Sequence, residues 1–129
     1  MIKSLGYTKN LFILPFDHRS SFAKIFQDKD NIASAKWIIY EAFKKALQDG
    51  ISKDQSAILV DEEFGDKILI DAKNNGFTTI LTTEKSGQKE FEFEYGNDFS
   101  KHIEKYNPTF VKALIRYKPN ANWTKLKML

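Results

Sequence analysis

Four short apolar runs in this sequence each lead into side chains that could move protons or hold an anion. "LFILPF" from Leu11 runs into Asp17, His18 and Arg19, and "SAILV" from Ser56 into Asp61, Glu62 and Glu63. "TTILTT" from Thr78 runs into Glu84, Lys85 and Ser86, and "VKALIRY" from Val111 carries Lys112 and Arg116 within it. A carboxylate beside a hydroxyl or carbonyl group acts as a general acid or base, and cationic side chains hold phosphate or carboxylate by charge-assisted hydrogen bonds. Lysine adds carbonyl chemistry, either as a Schiff-base nucleophile or as a cation that stabilises developing negative charge. If the four groups meet, the mixture suits a phosphorylated or carboxylated sugar-like substrate.

Taken singly, each charge has a plainer reading. Asp17, Asp61 and Glu84 can be caps or ion-pair partners of Arg19, Lys85 and Arg116. Lys112 is more telling: alternation places it on the same side as Leu114 and Arg116, and a lysine among Val, Ala, Leu and Ile stands there against a desolvation cost. His18 has no second histidine at ligand spacing. With two histidines and no cysteine, a zinc site within the chain is not expected and no residue is assigned to a metal. His102 reads as part of the solvated face of a polar helix, and Trp37 as core. Ser86-Gly87 could offer backbone N–H groups to a phosphate, though without a glycine-rich pattern around it.

These groups need elements to position them. Runs this short, rich in β-branched residues, predict strands buried on both faces. Between the first two lies "NIASAKWIIYEAFKKALQDG", whose Ile32, Ala35, Ile39, Ala42, Phe43, Ala46 and Leu47 recur at helical spacing up to a stop at Gly50. "GDKILIDAKNNG" predicts a shorter helix, with Asp66 as its cap and Asn75-Gly76 as its end. In "KEFEFEYG" strict alternation predicts an extended segment with one wet face. "NDFSKHIEKYNP" predicts helical turns closed by Pro108, and "PNANWTKLKML" the start of a further helix capped by Asn122. The order predicts an α/β protein with a parallel sheet and helical crossovers, whose strand ends share one rim. Four such units are about half of a (β/α)₈ barrel of ~250 residues. An open four-stranded sheet is the alternative, and periodicity does not separate the two.

The 129 residues, 42% hydrophobic and 29% charged, suit one globular domain over residues 1–129. Twenty basic and seventeen acidic side chains are interspersed, so no basic stripe argues for nucleic acid. The N-terminus lacks a signal-peptide core and no apolar run approaches the ~20 residues of a membrane span, so a cytoplasmic, membrane-free protein is expected.

Together "LFILPFDHRSSF", "AILVDEEFG" and "FEFEYGNDFSKHIEKYNPTFVKALIRYKPN" resemble the bacterial 2-deoxy-5-keto-D-gluconate 6-phosphate aldolase domain of inositol catabolism, over nearly the whole chain. More distantly, "FDHR", "VDEEFG", "TTEKSG" and "VKALIRY" are similar to strand ends of class I tagatose-bisphosphate aldolases, which are TIM barrels. The resemblance implies the N-terminal half of a TIM (β/α)₈ barrel and a cofactor-independent carbon–carbon lyase. Its implied reaction is the cleavage of a phosphorylated keto sugar acid to dihydroxyacetone phosphate and malonate semialdehyde. By position, Asp17 matches the aspartate that assists proton transfer, Lys112 the lysine that polarises substrate oxygens, and Glu84 and Glu63 motif carboxylates. The catalytic set expected is Asp17, Lys112 and Glu84; His18, Arg19, Glu63, Lys85, Ser86 and Arg116 are assigned to substrate binding. The family's Schiff-base lysine and acid-base glutamate fall on later strands, and here Lys118 and "NANW" replace its polar residue and acidic glycine turn. A truncated chain is therefore expected, needing a C-terminal half or another copy in a homo-oligomer for activity. The rival reading is a non-catalytic half-barrel that binds a sugar phosphate or a partner protein.

Overall fold

The computed structural model describes residues 7–117 together with Pro119 and Asn120. Its elements run β1 (Phe12–Pro15), α1 (Ser20–Ala23), α2 (Lys29–Gln48), β2 (Ser56–Val60), α3 (Glu62–Asn74), β3 (Thr78–Thr82), α4 (Phe99–Tyr106) and β4 (Phe110–Lys112), with 3₁₀ turns at Lys53–Gln55 and Gly96–Asp98. The strands form one sheet in the order β1-β2-β3-β4, and every neighbouring pair is parallel. The predicted alternation of strands and helical crossovers is thus present. The tail helix expected around Asn122 lies outside the described residues. No helix of the described residues is long and apolar enough to cross a membrane.

Local chemistry sets the helix limits. The Asp28 side chain accepts the Asp30 N–H (3.0 Å) to open α2, and Gly50, at φ +113°, closes it as the Ile51 N–H donates back to the Ala46 carbonyl (3.1 Å). The buried stripe of α2 is Ile32, Lys36, Tyr40 and Phe43; Trp37 packs beside it, while Ala42, expected to face inward, is exposed. Asp61, not Asp66, caps α3 by accepting the Phe64 N–H (2.9 Å). "VDEEFG" is consequently the helix's first turn, where acidic side chains suit the positive end of the helix dipole. Gly65 lets α3 lie close on β2, since a Cβ there would stand 2.2 Å from Val60 Cγ1.

The core joins Phe16, Ile58, Val60 and Leu81 of the sheet to Tyr40 and Phe43 of α2, Ile68, Leu69 and Ala72 of α3, and Tyr106 of α4. Ile58 and Val60 point to one face, and Val60 is level with Leu81 in the ladder. Helices α2, α3 and α4 therefore pack on that face. Right-handed crossovers that keep stepping in one direction across a parallel sheet produce this arrangement. The opposite face presents Ile13, Leu59, Ile80, Thr82, Phe110 and Lys112, and among the described residues no helix covers it. Tyr7 reaches it at one end, its ring 5.3 Å from that of Phe110 and its hydroxyl donating to the Asp54 carbonyl (3.3 Å).

Two strand expectations need correction. β1 is exposed at all four positions, because among the described residues it is an edge strand paired with β2 on one side, and burial begins at Phe16. β4 is likewise an edge, with Val111 exposed. Of the alternating segment "KEFEFEYG", the stretch around Phe91–Phe93 returns antiparallel beside the end of β3 through a Glu84–Phe93 bridge, while Lys89 and Glu90 bend and Glu94 and Tyr95 turn into the 3₁₀ turn at Gly96–Asp98. The Lys85 N–H donates to the Glu92 carbonyl and the Glu94 N–H to the Thr83 carbonyl, each at 2.9 Å. Its wet face is not uniform: Phe91 is buried and Tyr95 exposed, while Glu94 turns toward Arg19.

Candidate functional site

Phe16 anchors the end of β1 in the core, and its N–H continues the ladder to the Leu59 carbonyl (3.0 Å). Alternation then directs the next residue, Asp17, to the helix-free face. Thr82 and Lys112 are level partners of β3 and β4 on that same face. The Thr82 hydroxyl donates to Asp17 Oδ2 (2.9 Å), and Lys112 Nζ donates to the same oxygen (2.8 Å) and to Glu84 Oε1. Lys112 is held from behind as well, since its carbonyl accepts both the Thr83 N–H and the Thr83 hydroxyl at 2.9 Å. Glu84 is set by the Phe93 bridge and by Arg19, whose Nη1 donates to the Glu84 carbonyl (2.8 Å) and faces Glu94 Oε2 (3.5 Å). Glu84 Oε2 is buried with no hydrogen-bond partner among the described residues, leaving an acceptor beside the ammonium.

The charges tune one another. Burial pushes the Asp17 carboxyl up, but the hydrogen bonds from Lys112 and Thr82 and the Lys112 charge outweigh it, holding Asp17 below the usual carboxylate range. Burial works against the Lys112 ammonium, and its bonds to Asp17 and Glu84 with their charges prevail, holding it above the ordinary lysine value. At neutral pH the pair is an ionised carboxylate bound to a charged amine. Glu94 is displaced upward by burial despite Arg19, with the carboxylates of Glu63, Glu62 and Asp61 adding to the effect.

Every residue assigned to the site from sequence, except Glu63, lines one rim cavity of about 280 Å³. Asp17, Glu84 and Lys112 meet there in direct contact. His18 is exposed and stacks on Phe22, while Lys85, Ser86 and Arg116 stand around the mouth. Arg19 is 6% exposed and its guanidinium is engaged by Glu84 and Glu94 at the back of the cavity. Glu63 faces a different groove, between α2 and α3, because α3 is capped by Asp61, five residues before the expected Asp66, so Glu63 lies in its first turn and is carried away from the rim. His102 is not on a solvated face: it is buried with Tyr106 one turn on, and its Nε2 lies 2.8 Å from Glu62 Oε2.

Sequence reasoning passed over Thr82, Glu94 and Lys36. Thr82 looked like any strand threonine, and Glu94 was concealed in the alternation. Lys36 had a signal, because Ile32, Lys36 and Tyr40 follow one another at four-residue steps along one stripe. Its Nζ is fully buried against Asp61, where burial drives the amine below its ordinary value despite that partner. The Lys36 ammonium also stands 5.6 Å from the rings of both Phe22 and Phe64. Since Asp61 caps α3, this pair ties α2 to the start of α3 behind the rim.

Fold and site together define a parallel α/β protein with a carboxylate–lysine–carboxylate cluster at the carboxyl ends of its strands. The chain belongs to the family described as uncharacterized protein conserved in bacteria (DUF2090), whose profile matches residues 4–128. No curated protein and no solved structure matches it.

Proposed function

We propose that the rim cluster serves an aldolase-type carbon–carbon lyase, cleaving a phosphorylated keto sugar acid to dihydroxyacetone phosphate and malonate semialdehyde. The supporting observation is the Lys112 ammonium suspended between Asp17 and Glu84 in the rim cavity. In such a cleavage the hydroxyl beside the breaking bond gives its proton to a carboxylate. The bonding electron pair moves toward the neighbouring carbonyl as an enolate, which then takes a proton at carbon. Asp17, held ionised, suits the base, and Glu84 Oε2 offers a second acceptor. Lys112, held charged between Asp17 and Glu84, suits the cation that steadies the enolate oxygen. Lys85, Arg116 and the Ser86-Gly87 turn, with Gly87 at φ +72°, are left for the phosphate.

The same reading takes the sheet as half of an eight-stranded barrel, since helices confined to one face leave the other to line a barrel interior. Release of dihydroxyacetone phosphate, followed by a coupled reductase, tests it. Turnover that falls with Asp17→Asn while the fold is retained supports the proposal. No release above blank, with dihydroxyacetone phosphate still bound in calorimetry, selects the non-catalytic binder; neither release nor binding ends both readings.

A further inference from the structure

Among the described residues the sheet has two unpartnered parallel edges, β1 and β4, at its opposite ends. Parallel sheets are stable when both faces are covered, yet here the helices cover one. Apolar side chains are exposed along both edges: Phe12 at 73%, Ile13 at 47% and Leu14 at 37% beside β1, and Val111 at 49%, Leu114 at 43% and Ile115 at 44% beside β4. Edges that natural proteins leave in water are guarded by charge or proline. No charge stands between Phe12 and Pro15. Pro15 removes one donor from the outer side of β1, because the Phe16 N–H points inward to Leu59; Ile13 remains as an outward donor.

We propose that a second copy of this chain occupies both edges, so that two four-stranded sheets close into one ring of eight parallel strands. β1 and β4 run in the same direction, so a two-fold axis along the strands lays β4 of each copy beside β1 of the other and uses up all four edges at once. A single edge contact without that closure would leave β1 or β4 open and propagate into a filament. The six exposed side chains leave on the order of 500 Å² of apolar surface open per copy, against ~800 Å² per partner in a standard interface. The paired strand backbones and the helix-free face supply the rest. Closure also completes the site, because the helix-free face carrying Asp17, Thr82 and Lys112 then faces the partner's equivalent surface. The pairing stands whether or not the cluster performs aldol chemistry, since a mass measurement is blind to the reaction.

The test is sedimentation equilibrium of the 129-residue chain at micromolar concentration. A species of twice 15.0 kDa that does not grow further is expected. Ile13→Lys and Val111→Lys replace exposed side chains on opposite edges, and each is expected to return the mass to that of one chain with unchanged circular dichroism. A native chain that stays monomeric at 100 micromolar overturns the proposal, as does a mass that keeps rising with concentration. A dimer indifferent to both lysine variants overturns it too, by placing the contact elsewhere.

Discussion

Asp17 and Lys112 are displaced from their ordinary values in opposite directions, and each is the main partner of the other. For Asp17, lowered from 3.8, the stabilisation is present above that value and is lost as pH falls through the lower folded one. For Lys112, raised from 10.5, it is complete below that value and is lost as pH climbs through the higher folded one. The cluster therefore stays intact across the neutral range. Asp17→Asn keeps the shape and an oxygen for the Thr82 contact while removing the proposed base. Turnover is expected to fall ~10²- to 10⁴-fold, with a stability loss of about 1 kcal/mol, read by initial rates and urea midpoints. Lys112→Met takes away the cation that Asp17 and Glu84 share and leaves Arg19, on the Glu84 side, to balance the two carboxylates. Its destabilisation is expected to be larger at pH 7 than at pH 4.5, where one carboxyl takes up a proton. Equal losses at both pH values would remove charge compensation as the role of Lys112.

Among the elements, α3 is the most constrained, since Gly65 fits under Val60 and Asp61 is held by Lys36. Gly65→Ala places a methyl group inside the radius of Val60 Cγ1 and is expected to destabilise by about 1–3 kcal/mol in urea unfolding, despite alanine's better helix propensity. The joint between α3 and α4 answers to pH. His102 is kept neutral below its ordinary 6.5 by burial, against the pull of Glu62; Lys105 and Arg19 add repulsion, and Asp66, Tyr95 and Tyr106 complete the surroundings. Because the unfolded chain binds that proton more readily, stability is expected to decline as pH falls from 6.5 toward the folded value. His102→Gln is expected to flatten this part of the pH–stability curve, measured by denaturation midpoints between pH 7 and 5. An unchanged slope would assign the acid sensitivity to other groups.

Across the whole molecule, protection is uneven. β2 and β3 are covered on both sides by neighbouring strands, and Ala57, Ile58, Val60, Thr82 and Leu81 are buried. Hydrogen exchange is expected to be slowest there, with β1 faster by orders of magnitude in the monomeric variants. Equally slow exchange in β1 of such a monomer would mean that its outer edge is covered from within the chain. The arrangement also separates two functions in space. Lys36–Asp61 and His102–Glu62 sit among the helices and brace the frame, whereas Asp17, Thr82, Glu84 and Lys112 occupy the rim cavity and the face left bare.

The parallel strand order, the length of α2 with its Gly50 stop, and the gathering of charged groups at strand ends could all be read from the sequence. Each depends on local rules: periods of two and 3.6, a glycine that tolerates positive φ, and the common direction of strands in βα units. Glu63 defeated those rules because α3 begins five residues before the expected cap, so a residue read as part of the loop after β2 lies in the helix's first turn, where its direction is set by a rotation of about 100° per residue. Contact partners lay beyond them altogether. Asp17 and Lys112 are 95 residues apart, Arg19 and Glu94 are 75 apart, and Lys36 and Asp61 are 25 apart. Which of these charges touch, and which remain open to a ligand, follows from strand register and helix rotation across the assembled sheet, quantities that no window of neighbouring residues contains.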